Sequence, residues 1–355
     1  MKSITSAEQA DPAERRRRTL ATLLKTVAGI LVLAALLYFG SIDFSALAAL
    51  LERPWSIAMA AVLVLLTLPL AALRWGIILR LLDAPLPPMS LLHIQCIATI
   101  TNQLMFGPAS ADAVRGLYAW RALRGKAGVV AASLLADRIF GLMGLIALGG
   151  LAIAIRWPQM RVAPQFAVLL YPLACGFAAL IAGCAVLLIA PSAIRSIAHP
   201  FAAYPRIGNL LDRVQESIVA IRRRPLTLLA VLTIAFAGHC VSVLAFLIIA
   251  LAMQIGPLSA IDHLTAAPLA FMANAVPLTA GGLGVGEAAF DQICRWLEPA
   301  PSGAAYASIF FAYRAVSTLV LMVGLISFVV YRVDDANRPS AALLREDGER
   351  SGADV

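Results

Sequence analysis

Asn274-Ala-Val-Pro277-Leu-Thr-Ala-Gly281-Gly282-Leu-Gly284-Val-Gly286-Glu287-Ala-Ala-Phe290 is a poor sequence for a helix facing lipid, although the chain around it is strongly apolar. Pro277 fixes φ and removes a backbone donor, while Gly281, Gly282, Gly284 and Gly286 loosen any helix that contains them. Bare backbone in hydrocarbon leaves hydrogen-bonding groups unsatisfied at a large cost. The stretch must therefore be buried in protein or line a wet cavity. That is the setting of a broken or re-entrant helix near a transport site.

The composition fixes what such a segment is embedded in. A chain of 355 residues could hold two or three soluble domains. However, 61% of the residues are hydrophobic, 14% are charged and the mean hydropathy is +0.86, so the chain reads as an integral membrane protein. Its apolar runs are long and lack the alternating pattern of barrel strands, which makes it all-α. Cys96, Cys175, Cys184, Cys240 and Cys294 stand singly, without metal or disulfide spacing, and read as small core residues. The net charge of +8 sits beside apolar segments, where it reports orientation. No motif points to nucleic acid, a metal or a cofactor.

In chain order, residues 1–19 form a basic cytoplasmic tail ending in Arg15-Arg16-Arg17-Arg18, and residues 20–39 form an uncleaved first span. Span two covers about 55–79, with Arg74 read as an interfacial residue whose charge snorkels to the membrane surface. Leu91–Gly107 is too polar and too short for a comfortable crossing, and the Arg115, Arg121, Arg124 and Lys126 that follow would be badly placed outside. Leu91–Leu123 is therefore read as a hairpin entering from the cytoplasm. Spans three and four cover about 129–155 and 166–190, joined by an outer loop in which Arg156 and Arg161 run against the orientation.

The arginine-rich segment 191–225 belongs to the cytoplasm, and Leu210, Leu211, Val214, Ile218 and Ile221 recur in it at helical spacing. This is either an amphipathic helix on the bilayer surface or a linker helix packed on the domain. Span five covers about 226–253 and the last span 304–331, so 261–296 must enter as a hairpin from outside. The result is six full spans and two opposed broken hairpins, a possible inverted repeat, in a transmembrane domain over 20–331. The polar tail 332–355 is expected to be disordered, with both termini in the cytoplasm.

Ionisable groups at mid-membrane depth are functional candidates. Asp137, Arg138, Glu287 and Arg314 qualify by depth; Asp112 and Arg115 lie on the first hairpin. Residues 137 and 138 point about 100° apart on a helix, so they must reach different partners. Arg115 or Arg314 suits Asp137, and Glu287 or Asp112 suits Arg138. Asn102 and Asn274 each precede a proline and a run of small residues leading to an acid, the pattern that raises the possibility of a repeat. An ion-pair network that only locks helices together is the competing explanation. His93 and His239 lack metal-spaced companions.

Three segments then point to a known family: Asn102–Pro108–Asp112–Arg115, Ala136-Asp137-Arg138-Ile-Phe-Gly141-Leu, and Asn274–Pro277–Gly281-Gly282-Leu-Gly284-Val-Gly286-Glu287. Together they make nearly all of 20–331 resemble the flippase-like transmembrane domain of lysylphosphatidylglycerol synthases. Ser110-Ala111-Asp112 stands where the family has Gly-Gly-Asp. The resemblance implies movement of a polar lipid, phospholipid or otherwise, between leaflets of the inner membrane. It also implies a substrate headgroup that is anionic or phosphate-bearing, with lipid-biosynthesis enzymes as possible partners. The substrate-binding or translocation residues expected on this basis are Asn102, Asp112, Arg115, Asp137, Arg138, Asn274, Pro277, Gly281, Gly282, Gly284, Glu287 and Arg314. The sequence ends soon after Tyr331, and aminoacyl transfer by a soluble domain is not expected of it. Two other functions fit the residues: a membrane-embedded enzyme using Asp112, Asp137 or Glu287 as acid or base, and a non-transporting partner of a lipid-modifying complex.

Overall fold

Length alone separates the helices into two kinds. In the structure, a computed structural model, the residues described are 24, 27, 30–38, 42–102, 108–161, 164–167, 171, 175, 178, 224–276, 278–279 and 282–330. Helices long and apolar enough to cross a membrane are α2 (Pro54–Leu81), α5 (Ala127–Met160), α6 (Pro225–Met253) and a last span, Ala307–Ser327. They match the predicted spans two, three, five and six. Of predicted span one, residues 24, 27 and 30–38 are described and are helical, while span four, the 191–225 segment and both tails lie largely or wholly outside the described residues. No strand occurs among the described residues.

Four shorter helices form two hairpins. The first comprises α3 (Pro88–Thr101) and α4 (Pro108–Ala122); the second comprises α7 (Ala260–Ala275) and α8 (Val285–Leu297). At 1.5 Å per residue each limb is roughly 20–24 Å long, short of the roughly 30 Å hydrocarbon core. A short helix, α1 (Phe44–Leu51), precedes α2; Asp43 caps it, and the Asp43 N–H donates to Ser308 Oγ at 2.7 Å. Prolines start α2, α3 and α6, where the missing N–H costs nothing.

The side chains show where each hairpin opens. At one end of the bundle Arg53 donates to Gln254 at 3.0 Å, Arg156 pairs with Asp262, and the Phe166 and Trp296 rings meet at 5.6 Å. These contacts gather the start of α2, the ends of α5, α6 and α8, and the start of α7. At the other end Leu79, Ala84, Leu86, Tyr118, Leu123 and Val130 form one apolar cluster, while Leu81, Leu82, Ala132 and Val231 form another. These gather the end of α2, the end of α4 and the starts of α5 and α6. The hairpins thus enter from opposite ends of the bundle. Arg156, awkward by sequence, is neutralised by Asp262, which also completes the Ser259 capping box of α7.

Aromatic packing supports the second hairpin. Phe246 on α6 lies 4.7 Å from Phe290 on α8 and 5.7 Å from Phe271 on α7, ring centre to ring centre. The last span is not one continuous helix. It divides at Met322 into α9 (Ala307–Leu321) and α10 (Val323–Val330). There the Met322 N–H reaches the carbonyls of both Thr318 and Leu319, and Leu325 bonds back to Met322, a tightened turn of 3₁₀ type.

Glycine allows a close contact between α5 and α6. A Cβ built on Gly144 of α5 would lie 2.9 Å from the backbone of Ala235 and Phe236 on α6, and backbone cannot move aside as a side chain can. Gly144→Ala should therefore separate α5 from α6 at an overpacking cost of about 1–3 kcal/mol. We expect a lower thermal midpoint for the purified variant in detergent. An unchanged midpoint would show that the contact tolerates a methyl group.

Candidate functional site

A chain of alternating charges ties the first hairpin to the bundle. Asp137 on α5 accepts from Arg74 Nε on α2 at 2.7 Å through Oδ1, and from Arg115 Nη1 on α4 at 2.8 Å through Oδ2. Arg115 Nη2 donates to Asp112 Oδ1 at 2.8 Å, and Asp112 Oδ2 accepts from Arg138 Nε at 2.7 Å. The order is Arg74–Asp137–Arg115–Asp112–Arg138. Asp137 stands ten residues into α5, about 15 Å along its axis and near mid-membrane depth.

Burial grades along this chain. Asp137 is 2% exposed and the Arg115 side chain 8%, whereas the Arg138 side chain is 44% exposed. Arg115 also lies over the Trp75 ring at 5.2 Å, and Trp75 Nε1 donates to Ser133 Oγ. Both oxygens of the buried Asp137 carboxylate are thus satisfied, as a low-dielectric site requires, while Arg115 Nε is buried without a hydrogen-bond partner. The exposed part faces a cavity of about 400 Å³ whose lining includes Arg74, Gln95, Asn102, Asp112, Arg138 and His239. Three guanidinium groups here meet two carboxylates, so this set of five residues carries one positive charge.

The second cluster lies at the tip of the other hairpin. Arg314 on α9 donates to Glu287 Oε1 at 2.6 Å and Oε2 at 3.1 Å, to Asn274 Oδ1 at 3.0 Å and to the Gly282 carbonyl at 3.0 Å. Glu287 is fully buried in the first turn of α8, where the helix N-terminus also favours a carboxylate. Two glycines make this turn possible. Gly282 has φ +71° with the Asn274 side chain where its Cβ would be, and Gly284 caps α8 with φ +79°. Gly286 gives room to the Phe310 ring. Pro277 and Gly281 lie outside the described residues.

The sequence candidates therefore fall into two groups. Asp112, Arg115, Asp137 and Arg138 form one network, with Asn102 on the same cavity; Asn274, Gly282, Gly284, Glu287 and Arg314 form the other. Of the partners considered for Asp137 the structure selects Arg115 over Arg314, and for Arg138 it selects Asp112 over Glu287.

Arg74 corrects the sequence reading. It does not snorkel: its side chain is 15% exposed and is held by Asp137. Its place seven residues before the end of α2 allows a surface position, and only the need of a buried carboxylate for a second donor pointed inward. Gln95, within 3.4 Å of Arg115, and His239, whose Nε2 lies 2.9 Å from the Gly141 carbonyl, are further cavity residues that spacing alone did not select. Among the described residues no group of His, Cys, Asp and Glu could hold a metal ion.

Comparison with curated proteins and with solved structures gave no match. The family described as Lysylphosphatidylglycerol synthase TM region matches residues 26–324, most of the chain and both charge clusters. A helical bundle with opposed hairpins, each with a carboxylate paired to an arginine of the following helix, is thus a membrane domain of a lipid-metabolism family, and the chain belongs to the lysylphosphatidylglycerol synthase transmembrane-region family.

Proposed function

We propose that the protein is a lipid flippase rather than an enzyme, moving a phosphate-bearing or otherwise anionic headgroup through the cavity beside the first hairpin. The observation that carries this reading is Arg138, which is 44% exposed on a cavity of about 400 Å³ inside a membrane bundle. A guanidinium offers planar, paired donors to phosphate oxygens. Asp112 holds Arg138 in place until a headgroup competes for it, while the acyl chains stay in the lipid. The arginine-rich end is assigned to the cytoplasmic face of the inner membrane, with both termini on that side. Enzymes of lipid biosynthesis would supply the cargo.

The direct test is reconstitution into vesicles carrying trace labelled phosphatidylglycerol, phosphatidylethanolamine or phosphatidylcholine. Faster leaflet exchange of at least one phosphate-bearing lipid than in empty vesicles is expected. No gain over empty vesicles for any of the three would sink the reading.

A further inference from the structure

The two charge clusters share one plan. Each hairpin has an asparagine at the end of its first limb, Asn102 or Asn274, and an acid near the start of its second, Asp112 or Glu287. In each, that acid pairs with an arginine on the helix that follows. The separation is 26 residues for Asp112–Arg138 and 27 for Glu287–Arg314. The packing follows the same plan. Gly149, beyond Arg138, makes room for Met272 on the first limb of the second hairpin; Gly324, beyond Arg314, makes room for Cys96 and Ile100 on the first limb of the first hairpin. Each hairpin thus rests on the other half of the bundle, in opposite orientations.

The halves nevertheless differ in exposure. The Arg138 and Asp112 side chains are 44% and 24% exposed; those of Arg314 and Glu287 are 14% and 0% exposed. In a transporter built from inverted repeats, the two halves exchange their conformations as access alternates. We propose that the Asn274–Glu287–Arg314 cluster is a second site for the same phosphate-bearing headgroup, closed in this conformation and opened as the Asp112–Arg138 site closes. This rests on the transport reading above. When open, Arg314 offers its donors to the headgroup. When closed, Glu287, Asn274 and the Gly282 carbonyl occupy those donors in its place.

The test uses the full-length chain with its native cysteines replaced and one reporter at a time: Thr279→Cys, at a position 7% exposed here, or Ser110→Cys, beside the open site. A small charged thiosulfonate labels each reporter in phosphatidylcholine vesicles. Glu287→Gln is expected to raise labelling at Thr279→Cys at least fivefold and to lower it at Ser110→Cys at least threefold. Arg314→Lys, which keeps the charge but loses the forked donors, should move both reporters in the same directions. Adding phosphatidylglycerol should then protect Thr279→Cys, while inorganic phosphate in phosphatidylcholine vesicles should not.

A rise at Thr279→Cys without the fall at Ser110→Cys means local loosening and overturns the proposal. Lack of protection by phosphatidylglycerol also overturns it, as does equal protection by inorganic phosphate, which assigns the site to the free anion. The transport reading fails separately. Reciprocal labelling with phosphatidylglycerol protection, in a protein that moves no lipid, leaves the second site standing and removes the flippase. Lipid movement without reciprocal labelling does the reverse.

Discussion

Asp137→Ala should leave little folded protein. The carboxylate is 2% exposed and accepts from Arg74 and Arg115 at 2.7 and 2.8 Å, one guanidinium on each oxygen. Removing it puts two cations into a low-dielectric interior with their shared counter-charge gone. Breaking a buried pair from one side costs about 3–5 kcal/mol. The Arg115 side chain, 8% exposed, has Asp112 as its remaining carboxylate, but Asp112 already serves Arg138. Recovery of monodisperse protein from detergent, followed by size-exclusion chromatography, should fall several-fold. Asp137→Asn retains an acceptor and should fall between alanine and wild type. The double variant Asp137→Leu with Arg115→Met removes two opposite charges together and leaves Arg74 as the one guanidinium deprived of this carboxylate, where Asp137→Ala deprives two. It should recover more protein than Asp137→Ala. If both variants fold as well as wild type, the buried network contributes nothing to holding the hairpin.

The legible part of this molecule is what hydropathy and charge can report. The spans at 54–81, 127–160 and 225–253 follow from uninterrupted apolar length, and their ends coincide with Pro54, Lys126 and Pro225. The hairpins were legible for the opposite reason. Gln95, Thr99, Asn102 and the glycine run 281–286 make segments that lipid would reject, so they had to fold back inside the bundle. Asp137–Arg115 and Asp112–Arg138 were foreseeable because a buried charge must find its opposite. Arg74 was not, because its role depends on the rotation of α2 against α5. A helix apolar on all sides carries no stripe to set that rotation. The division at Met322 was likewise silent: no proline marks it, and Gly324, which packs against the Cys96 carbonyl, looks like any other small residue of a span. The weakest sequence signal, the shared order of asparagine, small residues and acid in the two hairpins, gained meaning only when the paired arginines and Gly149 and Gly324 fell into the same order.

Arg138→Gln is the variant that should separate folding from transport. The Arg138 side chain is 44% exposed and pairs with Asp112 at the outer end of the network. Losing such a partly solvated pair costs little stability, on the order of 1 kcal/mol or less. Asp112 still has Arg115 at 2.8 Å, so no buried carboxylate is stranded. The purified variant should therefore match wild type in yield and thermal midpoint. Its lipid movement should fall at least tenfold, because the cavity loses its most exposed guanidinium and the five-residue cluster becomes neutral. Arg138→Lys restores the charge as a compact ammonium without the planar fork, and should recover only part of the rate. If lysine recovers all of it, charge alone selects the headgroup and the paired-donor geometry is irrelevant. If Arg138→Gln moves lipid as fast as wild type while folding normally, the cavity beside the first hairpin is not the path.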